Sequence, residues 1–162
     1  MSPFAVSAPA ARALALGAAL IAATSAGCLE ELEPDVGPAL APRCVNGDSD
    51  PDRDVSFSRH VVRRVFGGSG HCLACHRPDA PNPIGFEIGG LDLSTYAGVR
   101  AGGAVSRADA VIPGRPCDST LVQKLTAGPP FGARMPLDGP PFVDDADVLL
   151  LADWIVEGAQ DD

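Results

Sequence analysis

Lysine and aromatic residues are scarce in this chain of 162 residues. Lys124 is the single lysine, so the other eleven of the twelve basic residues are arginines. Asp and Glu together number 21, which gives a formal net charge of −9. A chain this acidic repels nucleic acid and anionic lipid surfaces. We therefore expect no nucleic-acid partner.

Long apolar runs are also lacking. The stretch 13–23 is apolar but too short for a membrane-spanning helix. Arg12 precedes it and the small residues Thr24 to Gly27 follow it, a pattern typical of a secretory signal peptide over 1–27. Ala26-Gly27-Cys28 resembles a bacterial lipobox, although Ser25 stands where such motifs usually have Leu. We expect Cys28 to be lipidated, with plain cleavage and an uncleaved anchor as alternatives.

The rest of the chain divides into two parts by composition. Residues 28–54 are rich in Asp, Glu, Pro and Gly and predict a flexible, acidic linker. Residues 55–162 have the size of one small domain and contain few aromatic residues for its core. They show no convincing series of alternating strands. A large apolar cofactor at the centre would supply the missing core.

The motif that indicates such a cofactor is Cys72-Leu73-Ala74-Cys75-His76. C-x-x-C-H is the attachment pattern of c-type haem. Two thiols at this spacing can both reach the vinyl groups of one porphyrin, and the following histidine is then held beneath the iron. We predict that Cys72 and Cys75 form thioethers to one haem c and that His76 is the proximal iron ligand.

Two further cysteines remain, Cys44 and Cys117. An exported chain meets an oxidising compartment, where a disulfide between them could form. The sequence does not place their Cα atoms, so the bond and two free thiols are both open.

Four stretches have helical patterns. Ser56–Phe66 places Val61, Val62, Val65 and Phe66 on one face, and Gly67 to Gly70 would end this helix. Shorter helices are predicted near 94–100 and from Asp118-Ser119 to about Thr126. The last helix follows Asp144 as cap, with Asp147 completing a near capping box and Gly158 after its end. The middle of the domain is predicted as Pro- and Gly-rich loops.

A second iron ligand is predicted at Met135, the one methionine left after signal removal. It follows Arg134 in a loop with prolines on both sides, and these restrict the backbone and lower the entropy of holding the thioether in place. A core-filling role is the alternative for an isolated Met. His60 and His71 are the competing ligands, but His71 is too near Cys72 to cross the haem and His60 lies on the polar face of its helix.

The order of these features resembles a class I cytochrome c domain, in particular the haem domains of secreted planctomycete-type and myxobacterial cytochromes. The matching stretches cover nearly all of 55–158 and are Val55 to Ser58, Cys72 to His76, Gly89 to Leu93, Val111 to Gly114, Lys124 to Thr126, Arg134 to Pro136 and Asp153 to Ile155. The resemblance implies an all-α class I cytochrome c fold. Three to five short helices would surround one covalently bound haem, with long Pro- and Gly-rich loops and crossing terminal helices.

The resulting expectation is a mono-haem electron carrier, not an enzyme, with His76 and Met135 filling both axial positions. It would be exported to the bacterial cell envelope and lipid-anchored, facing the periplasm or the cell surface. Redox proteins and the membrane would be its partners. An open distal site, as in a peroxidase or gas sensor, is the first alternative. A zinc module using the four remaining cysteines, a thiol oxidoreductase and a structural lipoprotein with a degenerate site are less favoured. Arg134 and Lys124 are expected to be solvated, and Trp154 to lie in the core.

Overall fold

The structure, a computed structural model, describes residues 44–69 and 71–162. Every regular element in these ranges is helical, which confirms the all-α prediction. The five helices are α1 (Phe57–Ser69), α2 (Ile84–Glu87), α3 (Tyr96–Ala101), α4 (Thr120–Leu125) and α5 (Asp145–Val156). Single 3-10 turns lie at Cys72–Ala74, Arg107–Ala110 and Pro116–Asp118. The predicted signal peptide 1–27, Cys28 and the linker up to residue 43 lie outside the described residues. None of the described helices combines the length and the apolarity that a membrane span needs.

Helix α1 forms where the spacing of apolar residues predicts it. Val61, Val65 and Phe66 are buried and Val62 is half-buried, while the arginines of the opposite face are exposed. The hydroxyl of Ser56 accepts a hydrogen bond from the Arg59 amide at 3.3 Å and so caps the start. The helix is wound as a π helix and leaves helical geometry at Gly68 (φ −92°, ψ −121°). The glycine stretch therefore turns the chain towards Cys72, as predicted.

Helix α5 packs against α1 and supplies the centre of the core. Trp154 is fully buried, as predicted, and its ring lies 5.3 Å from that of Phe57. Tyr96 meets the Phe57 ring edge-on at 5.4 Å. The indole Nε1 of Trp154 donates to the Gln160 carbonyl at 2.9 Å, so its one polar group is satisfied despite burial.

The caps of α4 and α5 differ from the prediction. Asp144 makes no side-chain capping bond, and Asp147 accepts a hydrogen bond from Arg64 Nε at 2.5 Å. Ser119 precedes α4 but also makes no capping bond. Its hydroxyl donates to the Arg115 carbonyl at 3.0 Å and accepts from the Ile112 amide at 2.8 Å. The distant Arg64 has thus taken the side chain of Asp147, and nearby backbone groups before α4 have taken that of Ser119.

Residues 44–54, predicted as part of a solvated linker, instead contact the domain. Ser49 donates from its backbone N–H and from its hydroxyl to the buried carboxylate of Asp153, at 2.9 Å and 2.6 Å. The Cys117 amide donates to Asn46 Oδ1 at 3.0 Å. Cys44 and Cys117 are joined by a disulfide with a Cα–Cα distance of 5.5 Å. A buried carboxylate needs hydrogen-bond donors, and this segment supplies two of them.

Candidate haem site

The C-x-x-C-H motif forms a tight turn at the end of the α1 segment. His71 has φ 46°, a left-handed conformation, and the 3-10 turn Cys72–Ala74 follows it. The amides of Cys75 and His76 both donate to the Cys72 carbonyl, at 3.1 Å and 2.8 Å. The turn holds both cysteines and the histidine in one short stretch of fixed backbone.

The two thiols are half-buried and are not joined in a disulfide. Burial raises the pKa of the Cys72 thiol to about 11, and the nearby Cys75 adds to this increase. Cys72 is therefore protonated at neutral pH. Because a thioether carries no charge, surroundings that penalise a thiolate accept a thioether without the same cost. The environment of Cys72 fits covalent attachment to a haem edge.

The His76 imidazole is held as a neutral ring. Burial lowers its pKa, the Lys124 ammonium lowers it further, and the Leu91 carbonyl acts in the opposite direction. Nδ1 lies 3.3 Å from the Leu91 carbonyl oxygen. Since a carbonyl only accepts, Nδ1 is the nitrogen that carries the proton, and the lone pair is on Nε2. A metal-binding histidine needs this tautomer, with its other nitrogen fixed by a carbonyl.

Helix α2 supports the other side of the His76 ring. The Phe86 amide donates to the Cys75 carbonyl at 2.9 Å, which fastens α2 to the haem motif. A Cβ atom placed on Gly85 would lie 2.7 Å from both Cε1 and Nε2 of His76. Real side chains do not approach this closely, so the ring can occupy this position only because residue 85 is glycine. The Leu93 amide also donates to the His76 carbonyl at 2.8 Å.

Met135 lies half-buried at the edge of the core, next to the end of α4. Its amide donates to the Lys124 carbonyl at 2.8 Å. The neighbouring Arg134 donates from Nε to the Leu125 carbonyl at 2.8 Å, and its guanidinium lies 3.9 Å above the Phe142 ring. Arg134, expected to be exposed, is thus half-buried and fixes the loop to α4.

Lys124 interacts both with the Met135 loop and with His76. The Lys124 ammonium donates to the carbonyls of Phe131 and Ala133, within the loop. The same ammonium is close enough to His76 to lower the pKa of its imidazole. The sequence predicts a solvated Lys124; in the structure its side chain is half-buried and its ammonium is hydrogen-bonded to the loop.

The competing histidines are placed differently. His60 is half-buried on α1, and its Nδ1 accepts a hydrogen bond from the Ser56 amide at 2.9 Å. The ring is therefore engaged with its own helix and not solvated. His71 is exposed. A zinc site finds no support in the described ranges, because no three His, Cys, Asp or Glu side chains there converge on one point, and Cys44 is bonded to Cys117.

Sequence reasoning missed two residues of this site, Gly85 and Lys124. Gly85 gave no signal, because one glycine in a Gly-rich region does not show that a ring will pack on it. Lys124 did stand out in the sequence, because it is the single lysine of the chain and lies in one of the matching stretches. The roles assigned to Cys72, Cys75, His76 and Met135 stay predictions.

Comparison with known proteins gives a family match. Residues 72–137 match the family described as Planctomycete cytochrome C. The matched region begins at the first cysteine of the haem motif and ends just after Met135. No curated protein matches the chain. No solved structure matches it either.

Proposed function

We propose that this chain is a mono-haem c-type cytochrome that carries electrons in the cell envelope, because residues 72–137 match the family described as Planctomycete cytochrome C. In this proposal Cys72 and Cys75 hold one haem c covalently, and His76 and Met135 are its axial ligands. The observation that carries the proposal is the His76 imidazole, which is neutral and has its Nδ1 directed at the Leu91 carbonyl, immediately after two half-buried thiols.

The residues present fit the haem in three respects. The apolar surroundings of Cys72 suit an uncharged thioether. The tautomer of His76 leaves Nε2 free to bind iron. Gly85 leaves room for the ring to lie flat against α2. When bound, haem supplies an iron that alternates between the ferric and ferrous states and so accepts and releases one electron.

The protein residues would tune that exchange. A thioether at the distal position stabilises the reduced state relative to a second imidazole, so Met135 would raise the reduction potential. The carbonyl of Leu91 increases the basicity of His76 and fixes the orientation of its ring. If His76 and Met135 both held the iron, no coordination site would remain for a substrate, which is why we propose a carrier instead of an enzyme.

The proposed location in the cell rests on the composition of the first residues of the chain. We propose export by the signal peptide 1–27, lipidation of Cys28, and anchoring to a membrane of the bacterial cell envelope. Radioactive palmitate labelling of the wild type and of Cys28→Ser tests this. Label on the wild type alone supports the anchor, and equal label on both proteins overturns it.

The test of the haem proposal is a pyridine haemochrome spectrum of protein exported by a host that matures c-type cytochromes. We expect one haem per chain, bound through two thioethers. Colourless protein, or protein with stoichiometric zinc, would overturn the proposal.

The axial ligand requires a separate pair of variants. Met135→Ala should abolish the six-coordinate low-spin spectrum of the reduced protein and lower the potential. Leu137→Ala is the matched control, since Leu137 is 66% exposed in the same loop. A Met135→Ala protein with the spectrum and potential of the control would exclude Met135 as ligand. Rapid carbon monoxide binding by the wild type would indicate an open distal site.

A further inference from the structure

The loop that contains Met135 has little backbone structure of its own. Its sequence is Gly128-Pro129-Pro130-Phe131-Gly132-Ala133-Arg134-Met135-Pro136, and three of the nine residues have no amide proton. Among residues 128–136 of the described chain, the amide of Met135 alone donates a hydrogen bond to a backbone carbonyl. Something other than secondary structure must therefore hold this loop.

Lys124 provides most of the contacts that do so. Its Nζ donates to the Phe131 carbonyl at 2.8 Å and to the Ala133 carbonyl, and its own carbonyl accepts the Met135 amide at 2.8 Å. The ammonium also lies 5.0 Å from the centre of the Phe131 ring. One residue at the end of α4 thus holds the loop at three alternate positions, 131, 133 and 135.

The hydrogen bonds from the Lys124 ammonium are of a strong type. An ammonium carries three donors, and hydrogen bonds from a charged donor are about twice as strong as those between neutral groups. Arg134 adds a bond to the Leu125 carbonyl, but it lies on the loop and reaches back to α4. Lys124 lies on α4 and reaches forward to the loop. Burial also lowers the pKa of the Lys124 ammonium.

We propose that Lys124 is a positioning residue for the distal ligand: by holding the carbonyls of Phe131 and Ala133, it keeps the Met135 thioether on the haem iron. This inference rests on the proposed function. Removing the ammonium should leave Met135 in the chain but let the loop, and the thioether with it, move away from the iron more often.

The test compares ferric holoprotein of the wild type, Lys124→Leu, Lys124→Arg and Arg63→Leu. Leucine keeps an apolar stem but has no donor, and arginine restores a charged donor. Arg63 is exposed on α1, and among the described residues no hydrogen bond or ion pair joins it to the loop, so its variant controls for the loss of one positive charge. Imidazole, a neutral ligand, is titrated against each protein, and the near-infrared absorption band of a thioether bound to ferric iron is recorded.

We expect Lys124→Leu to bind imidazole about tenfold more tightly than the wild type and to lose part of the thioether band, because the competing thioether is held less firmly. Lys124→Arg should recover part of the difference, and Arg63→Leu should stay within about twofold of the wild type. Amide hydrogen exchange on the same samples gives a second measurement. The Met135 amide should exchange about tenfold faster in Lys124→Leu, with α5 unchanged.

The outcomes separate the two proposals. A wild type without the thioether band would overturn Met135 as ligand and, with it, the positioning role. A wild type with the band, together with a Lys124→Leu variant that matches Arg63→Leu in imidazole binding and exchange, would overturn the role of Lys124 and leave the proposed function intact. A variant that binds imidazole like the wild type but has a lower potential would show only a charge effect, which also overturns positioning.

Discussion

Substitution of Gly85 by alanine tests the packing of the His76 ring against α2. The new Cβ would lie 2.7 Å from Cε1 and Nε2 and 2.8 Å from Nδ1 of His76. Three ring atoms are thus approached at once, and the ring cannot avoid the methyl group by a small rotation. To reach an ordinary contact the ring would have to retreat by about 0.7 Å, or α2 would have to shift by a similar amount.

Two effects of the substitution oppose each other. Alanine favours a helix over glycine by up to about 1 kcal/mol, and residue 85 lies inside α2. Overpacking of a fitted contact costs about 1–3 kcal/mol. The steric term is the larger one, because α2 is fastened to the haem motif by the bond from Phe86 to Cys75 and cannot move freely. We expect a net loss of about 1–2 kcal/mol in the free energy of unfolding.

The spectrum should report the displacement more clearly than the stability does. The haem should stay attached in Gly85→Ala, since the thioether anchors are untouched, so the pyridine haemochrome should still give one haem per chain. A ring pushed from its place also loses the bond from Nδ1 to the Leu91 carbonyl, which is already long at 3.3 Å. We therefore expect a weaker iron–imidazole bond, seen as a high-spin fraction in the ferric spectrum and a shifted potential.

Gly47→Ala is the matched control, because a Cβ on Gly47 would meet nothing within 4 Å. The two variants carry the same chemical change, and neither glycine has a positive φ. If the unfolding midpoint, spin state and potential of Gly85→Ala equalled those of Gly47→Ala, the ring of His76 would not lie against α2 and the site as described would be wrong.

Three further predictions concern stability. Opening the disulfide by the double substitution Cys44→Ser, Cys117→Ser should lower the free energy of unfolding by about 2–4 kcal/mol in urea titrations, since the bond spans 73 residues; an unchanged midpoint would contradict this. Arg64→Met should cost about 1 kcal/mol in the same assay, because Asp147, whose side chain is 8% exposed, loses a charged donor; no loss would show that the pair contributes nothing. Burial, with neighbouring carboxylates, raises the pKa of Glu157 above its ordinary value of 4.5. The folded state therefore binds the proton more tightly than the unfolded state, and stability from Glu157 is lost as pH rises above that value. The free energy of unfolding of Glu157→Gln should therefore increase relative to that of the wild type as pH rises. A difference between the two proteins that does not change with pH would contradict the raised pKa.

The helices of the domain could be predicted because their signals are local. In α1, Val61 and Val65 are four residues apart and both are buried, so the 3.6-residue period alone identified the inner face. In α5, Leu151 and Ile155 follow the same rule. The break of α1 at Gly68 was also predictable, because a run of glycines favours the loss of helical geometry.

The caps could not be predicted in the same way. Asp144 and Asp147 have the residue types and spacing of a near capping box, but Asp147 pairs with Arg64, 83 residues away along the chain. A sequence pattern shows which bond a side chain can make locally and not which distant partner competes for it. Tertiary contacts also explain why residues 44–54 were taken for a linker, since Ser49 meets its acceptor on Asp153 only after folding.

The sequence predicts candidate ligands but not the groups that support them, and the difference has a physical cause. Cys72, Cys75 and His76 are recognisable because one cofactor imposes their spacing. The groups that orient the predicted ligands are backbone carbonyls, that of Leu91 for His76 and that of Lys124 for Met135. Every residue has a carbonyl, so its role leaves no trace in the sequence.

This reliance on backbone groups has a consequence for which positions should resist substitution. Since the side chains of Leu91 and Phe131 do not make these contacts, their replacement by other apolar residues should leave the ligand geometry intact. Gly85 and Lys124 should not tolerate substitution. Position 85 must lack a side chain, and Lys124 must carry its charged ammonium. A domain with few aromatic residues and loops rich in Pro and Gly thus concentrates the support of its two proposed iron ligands in a few positions. A substitution series over the Met135 loop should show tolerance at Phe131, Ala133 and Leu137 together with sensitivity at Lys124, and equal sensitivity at all four would mean that loop side chains, and not carbonyls, determine where the thioether lies.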